Sequence, residues 1–172
     1  MQYTISLDSF ALWVTAIVCM VFVGVGLWNI RSIFSKANDK VTKLIHAVVL
    51  IVLLGPLVYS YLYHPQKYVI GNFDVFIKRP IGDVVIHVKD IREMRLVNST
   101  EMDGTIRTFG VGGLFGYFGK YHNPKIGDFT MYASRQDKLV IIYTKDGNAV
   151  IITPDDPGFP DRLKMKMNDV LY

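Results

Sequence analysis

Residues 139–153, LVIIYTKDGNAVIIT, decide the fold of the second half of this chain. Two apolar, β-branched runs, Leu139–Thr144 and Asn148–Thr153, flank the short segment Lys145-Asp146-Gly147. An Asp-Gly pair between two apolar runs is the strongest short-range indication of a β-hairpin. The segment therefore predicts two antiparallel strands in a β-rich domain.

The sequence upstream of this hairpin continues the β pattern back to Pro65. Alternating apolar residues predict strands at Tyr68–Lys78, which a Gly-Asn pair interrupts, at Val84–Lys89 and at Ile91–Val97. A shorter strand is predicted at Phe129–Ala133. Together these segments predict a domain of about six or seven antiparallel strands.

Downstream of the hairpin, Thr153-Pro154-Asp155-Asp156-Pro157 ends the strand pattern. Carboxylates favour the start of a helix, so Asp155 and Asp156 are expected to cap one there. Four apolar residues then recur at every fourth position: Phe159, Leu163, Met167 and Leu171. This spacing predicts one amphipathic helix at about 160–171 that buries its apolar stripe.

The beginning of the chain has a different character, with two long apolar runs. Phe10–Ile30 carries no charge, and Leu44–Tyr63 has only His46 as an ionisable side chain near neutral pH. A helix of about 20 residues crosses the ~30 Å hydrocarbon core of a bilayer. Trp13 and Trp28 stand near the two ends of the first run, where interfacial aromatic residues are common. We therefore expect a transmembrane hairpin.

Two alternatives for these runs are weaker. A buried helical hairpin in a soluble core rarely contains charge-free runs of this length. A signal peptide would need a basic segment before the first run and a small-residue cleavage site after it, and the sequence has neither. The expected organisation is thus an N-terminal tail and anchor at 1–64, with spans at about 10–30 and 44–63, and a β-domain at 65–172.

Basic residues predict the side of the membrane on which the domain lies. The link between the two runs carries four of them: Arg31, Lys36, Lys40 and Lys43. The N-terminal tail carries none, and the flank after the second run spreads Lys67, Lys78 and Arg79 over a longer distance. Because basic residues in short loops favour the cytoplasm, the link is expected inside and the domain outside.

Composition and the polar side chains exclude several functions. The net charge is +4, and acids and bases are nearly balanced after Pro65, so nucleic acid is not an expected partner. Cys19 is alone, and the four histidines lack the spacing of a metal site. No nucleophile motif is present. We predict no catalytic residue, cofactor or metal, and identify no small-molecule substrate.

The stretch RTFGVGGLFGYFGKYHNPKIG, residues 107–127, contains six glycines but matches neither the phosphate loop nor the dinucleotide loop pattern. Three roles remain open for its apolar residues: cover for the core, contact with the bilayer or the helices, and contact with a protein or a second copy. We expect Phe109 and Leu114 to face the core. The candidate contact residues are Leu114, Phe115, Tyr117 and Phe118, and the last three are expected at a tip of the domain.

These pieces, in this order, resemble the bacterial pleckstrin-homology (PH-like) domain family. The resemblance covers about 66–171 and is carried by Tyr68-Val-Ile, Val84–Ile91, the Gly-rich stretch, GDFTMYA at 127–133, the LVIIYT/NAVIIT hairpin and the Thr153–Pro157 segment. It implies a bent antiparallel barrel or two orthogonal sheets capped by a C-terminal helix, with two transmembrane helices ahead of it and no catalysis.

Eukaryotic relatives bind phosphoinositides through basic residues around the first hairpin, and this chain matches that pattern poorly. Lys78, Arg79 and Lys89 are weak anion candidates, because Asp74, Asp83 and Asp90 stand among them.

The expected function is a non-enzymatic, membrane-tethered PH-like binding or scaffold module in the bacterial cytoplasmic membrane. It would recruit a protein partner or a second copy, or contact lipid. An accessory subunit of a membrane enzyme or transport complex is the alternative.

Overall fold

The computed structural model describes residues 1–35 and 39–171 of the chain. Two long helices lie close to the N-terminus: α1 (Ser9–Phe34) and α2 (Lys40–Tyr63). They pack side by side as an antiparallel pair, which confirms the two predicted helices. Lys36 of the link, and the side chain of Leu171 from the predicted apolar stripe, lie outside the described part.

Most of the apolar surface of the two helices faces outward. Only 6% of the residues in the most apolar stretch of α1 are buried, and 0% of those in α2. Both helices are long and apolar enough to cross a bilayer by length and composition. Near the link, Asn29 Oδ1 and His46 Nδ1 lie 2.8 Å apart and join the helices through a polar contact. The core helices of soluble domains are mostly buried, and these two helices are not.

A four-stranded sheet, sheet A, receives both ends of the helical hairpin. Its strands are β1 (Gln2–Thr4), β2 (Lys67–Ile70), β3 (Asp74–Lys78) and β4 (Val84–His87), antiparallel and in that order. Strand β1 precedes α1, β2 follows α2, and Tyr3 pairs with Tyr68. The helical hairpin is therefore an insertion between two neighbouring strands, and the segment before α1 is a sheet edge.

The remaining strands form a second sheet, sheet B, in the order β5-β9-β10-β8-β7-β6. They are β5 (Ile91–Val97), β6 (Ile106–Gly112), β7 (Tyr117–Asn123), β8 (Gly127–Ala133), β9 (Leu139–Thr144) and β10 (Ala149–Ile152). Short 3-10 turns, Val88–Asp90 and Ser99–Glu101, flank β5.

One strand pair differs from the antiparallel prediction, since β8 and β10 run parallel. After β8 the chain passes over the neighbouring position in the sheet and forms β9. Strand β10 then fills the position between β8 and β9. Strand β10 is antiparallel to its hairpin partner β9, so β8 and β9 run in opposite directions.

Sheet B is covered on both faces, which explains why Leu139–Ile142 is apolar without alternation. Val140 and Ile142 pack into the core shared with sheet A. Leu139 and Ile141 belong to a second core on the opposite face. Helix α3 (Phe159–Leu171) closes the first core with Phe159 and Leu163, both fully buried. The two predicted sheets and the C-terminal helix are confirmed, but the described residues form two open sheets and not a closed barrel.

The Gly-rich stretch forms a β-hairpin from β6 and β7. Gly110 and Gly119 face each other across this hairpin, both with positive φ. A Cβ on Gly119 would lie 2.3 Å from the Phe109 carbonyl oxygen, and one on Gly110 would lie 2.2 Å from that of Phe118. The two glycines are therefore required by a close approach of the strands.

Candidate functional site at the helix–domain junction

The turn of the β6–β7 hairpin docks against the two apolar helices. The Thr15 hydroxyl of α1 donates a hydrogen bond to the Gly113 carbonyl (3.3 Å) and accepts one from the Phe115 N–H (2.9 Å). A Cβ on Gly113 would lie 3.3 Å from the Phe10 ring. A threonine within the first apolar run thus connects α1 to the β6–β7 edge of sheet B.

Phe115 also joins the turn to the second helix. Its ring centroid lies 5.8 Å from those of Tyr61 and His64, at the C-terminal end of α2. Its φ of 57° is uncommon for a bulky residue and costs backbone energy. The contacts of the turn with Thr15, Tyr61 and His64 hold this conformation, so the turn is built for its position between the helices.

A second connection runs from the start of α1 into the core. Asp8 caps α1 through the Ala11 N–H (2.7 Å) and also accepts a hydrogen bond from the Tyr117 hydroxyl (3.1 Å). Burial, and then the Asp8 carboxylate, raise the pKa of Tyr117 well above its ordinary value. The phenol therefore remains a donor at neutral pH. The Asp8 N–H in turn donates to the Ser134 carbonyl (3.2 Å).

A third connection is the β3–β4 turn, which packs against the end of α2. The Ile81 N–H donates to the Leu62 carbonyl (3.1 Å). The Arg79 guanidinium lies 5.3 Å from the Tyr63 ring centroid and 5.6 Å from that of Tyr132. Within the described ranges, Arg79 has no carboxylate at ion-pair distance. The guanidinium donates to the Gly82 carbonyl through Nε (2.6 Å) and lies against aromatic rings of α2 and β8.

The structure separates the four predicted contact residues of the Gly-rich stretch. Leu114 and Phe115 are half-buried at the turn, whereas Tyr117 and Phe118, which were also expected at a tip of the domain, are buried in strand β7. The expectation that Phe109 faces the core is also wrong, since it is 64% exposed. Tyr117 faces the second core of sheet B, and Phe118 lies opposite Tyr132 at the end nearest the helices.

The three anion candidates do not form one site. Lys78 and Arg79 are neighbours at the end of α2, and Lys78 is ion-paired with Asp83. Lys89 follows β4, and the pairing of Asp74 with His87 places it beyond the opposite end of β3. Five residues of strand separate the two positions by roughly 14 Å.

The histidines are likewise dispersed. Each has its own partner: His46 with Asn29, His64 with the Tyr61 carbonyl, His87 with Asp74 and His122 with Asp128. In the part of the chain that the structure describes, no three His, Cys, Asp or Glu side chains are placed to hold a metal ion.

A cleft of about 380 Å³ lies between the end of β5 and the start of α3. Its lining is mainly apolar, including Leu96, Leu139 and Pro157. Its two carboxylates, Asp137 and Asp156, are ion-paired with Arg135 and Arg162. The cleft offers an apolar surface whose acids are already engaged in structural contacts.

The comparison with known families gives one assignment. The bacterial PH domain family matches residues 66–168, from just before β2 to near the end of α3. The chain belongs to this family. Comparison with curated proteins and with solved structures found no significant match.

The matched region begins after α2, so the family accounts for β2 to β10 and α3 but not for β1, α1 and α2. The resemblance inferred from the sequence is confirmed. The bacterial PH domain supports a binding or scaffold role in general terms.

The residues that connect the domain to the helices, Asp8 and Thr15, lie outside the family region. Sequence reasoning missed both. The only hint was Asp8, an acidic residue two positions before the first apolar run.

Proposed function

We propose that this chain is a membrane-tethered PH-like module that acts without catalysis and recruits a partner at the bilayer surface. The observation that carries the proposal is the apolar surface of α1 and α2, which the rest of the chain leaves almost entirely exposed. A bilayer is the environment that covers two adjacent helices of this length on all sides.

The way the helices are connected supports anchoring over a removable leader. Cleavage after α1 would remove β1, whose Tyr3 is 3% exposed and pairs with Tyr68 in the core. It would also remove Asp8 and Thr15, which hydrogen-bond to the β6–β7 hairpin. Because β1 completes sheet A and its core, we infer that the folded protein retains the segment before α1.

The junction also supports a scaffold role, because it fixes the direction in which the domain points. The β1–β2 pairing, the Asp8–Tyr117 bond, the β6–β7 turn and the β3–β4 turn all lie at one end of the helices. A module held at four places presents the same outer surface to partners in every copy. The residues that line the β5–α3 cleft include none of those that make these four contacts.

Membrane fractionation tests the anchor. The tagged full-length chain is expected to remain in the membrane pellet after high-salt and carbonate washing, because two spanning helices resist both treatments. Release into the supernatant would end the proposal of an integral membrane protein.

Comparative purification tests recruitment. The solubilised chain is compared with a control in which residues 66–172 are replaced by an unrelated folded domain on the same helices. A defined protein that co-purifies with the native chain and not with the control supports recruitment through the PH-like domain. Recovery of the same proteins with both chains contradicts it.

A further inference from the structure

We infer that the β6–β7 turn, Leu114 and Phe115, is a third membrane-embedded element that contacts phospholipid beside the two helices. This inference rests on the proposed anchoring by α1 and α2. The β6–β7 turn of the PH-like domain would then lie within the membrane–water interface and not in the water beyond it.

The first support is the depth at which the turn meets α1 within the proposed span. The charge-free segment Phe10–Ile30 rises about 31 Å as a helix, close to the ~30 Å hydrocarbon core. Thr15 lies five residues beyond Phe10, or about 8 Å further along the axis. The turn is hydrogen-bonded to Thr15. It therefore reaches past Trp13, the aromatic residue expected at this interface.

The second support is the composition of the hairpin. From Thr108 to Gly119 it carries no charged side chain, and Arg107 and Lys120 flank this segment at its base. An uncharged turn suits a bilayer, and the Arg107 guanidinium extends along the hairpin as far as Gly112, beside the turn. Gly113, which precedes Leu114, lies against Phe10, and Phe10 is 61% exposed on α1.

The third support is the hydrogen bonding of the backbone at the turn. Polar backbone groups are costly in a lipid environment unless they are hydrogen-bonded. At the turn, the Gly113 N–H donates to the Gly116 carbonyl (2.8 Å), and Thr15 binds the Gly113 carbonyl and the Phe115 N–H. A turn exposed to water would not need a hydroxyl from a neighbouring helix for these groups.

Spin-label accessibility tests the inference on the full-length chain. Single cysteines replace Leu114, Trp13 or Phe73 in a Cys19→Ala background, and each labelled chain is reconstituted into phosphatidylethanolamine–phosphatidylglycerol vesicles. Trp13 is the lipid reference, and Phe73, on the β2–β3 turn and 70% exposed, is the water reference. The ratio of oxygen to nickel-chelate accessibility at 114 is expected to match position 13 and to exceed position 73 several-fold.

The outcomes separate the two proposals. Water-like accessibility at 114 together with lipid-like accessibility at 13 overturns the inserted turn and leaves the anchor intact. Water-like accessibility at all three positions overturns the anchor itself. Tryptophan is smaller than the spin label and checks whether the label itself draws position 114 into the lipid. The fluorescence of Leu114→Trp, in a Trp13→Phe and Trp28→Phe background, is expected to be quenched by brominated lipids. Absence of quenching contradicts the inference.

Discussion

At the residue scale, Phe109 and Phe118 have opposite surroundings although both belong to the same hairpin. Phe118 is 3% exposed and Phe109 is 64% exposed. Phe118 lies near the turn, opposite Tyr132, where the helices and the β3–β4 turn cover the sheet. Phe109 lies opposite Lys120, further from the turn, where this face of the hairpin is open.

The first prediction follows from this difference. Phe118→Ala is expected to lower the free energy of unfolding by about 3–5 kcal/mol, the range for deleting a buried aromatic ring. Phe109→Ala is the matched control and should change it by no more than about 0.5 kcal/mol. Thermal or denaturant unfolding of the purified full-length chain measures both. Equal losses would contradict the assigned surroundings.

The second prediction concerns alkaline pH. Burial raises the pKa of Tyr68 to about 12, against 10.0 for the free side chain. The folded chain retains a proton that the unfolded chain releases, so this stabilisation is complete below pH 10 and is lost as the pH rises towards 12. The loss is about 1.4 kcal/mol per pH unit in this interval.

Denaturant unfolding across this interval, followed together with tyrosinate absorbance, measures the effect. The absorbance of Tyr68 is expected to appear with unfolding and not before it. Tyr68→Phe should have a shallower dependence on pH, although it loses the hydrogen bonds to the Tyr132 carbonyl and the Thr153 N–H. The same slope in both chains would contradict the prediction.

At the element scale, α3 closes the core between the two sheets. Leu163 is fully buried there, whereas Met165, two residues later, is 64% exposed. Leu163→Asp is expected to cost about 3 kcal/mol or more, because it buries a charge without a partner. Met165→Asp is the matched control on the same helix and should be nearly neutral. Similar melting temperatures for the two variants would mean that α3 does not close the core.

The hairpin β6–β7 gives the fourth prediction. Gly119 and Gly127 both have positive φ, but only Gly119 has backbone within the reach of a Cβ, at 2.3 Å. Each change to Ala costs about 1–2 kcal/mol of backbone strain. Gly119→Ala adds a clash with the Phe109 carbonyl and is expected to lower the melting temperature further. A larger loss for Gly127→Ala would contradict the close pairing.

The elements that could be predicted from the sequence have local patterns. The apolar runs, the 139–153 hairpin and the stripe of α3 depend on period and charge within a short window. The hairpin β6–β7 was missed because its glycines dilute the strand pattern. The three-residue strand β1 was missed because its partner β2 lies beyond two helices. The junction depends on single residues, such as Thr15, whose role only the packing defines.

At the scale of the whole molecule, the fifth prediction is the side of the membrane. The link carries Arg31, Lys36, Lys40 and Lys43, so it is expected in the cytoplasm, with both β1 and the domain outside. A C-terminal reporter that functions only outside the cytoplasm should be active. Lys40→Glu with Lys43→Glu weakens the bias and should reduce that activity. A fusion active only in the cytoplasm would contradict the prediction.

The insertion of the helical hairpin between β1 and β2 has a consequence for biogenesis. During synthesis, β1 emerges first and has no partner until both helices have left the ribosome. In a chain with one helix translocated and the other left behind, β1 and β2 would be on opposite sides of the bilayer and sheet A could not form. In the proposed anchored form, sheet A can therefore form only when the two helices leave β1 and β2 on the same side of the bilayer, and a chain with a single inserted helix leaves the edge of β2 unpaired.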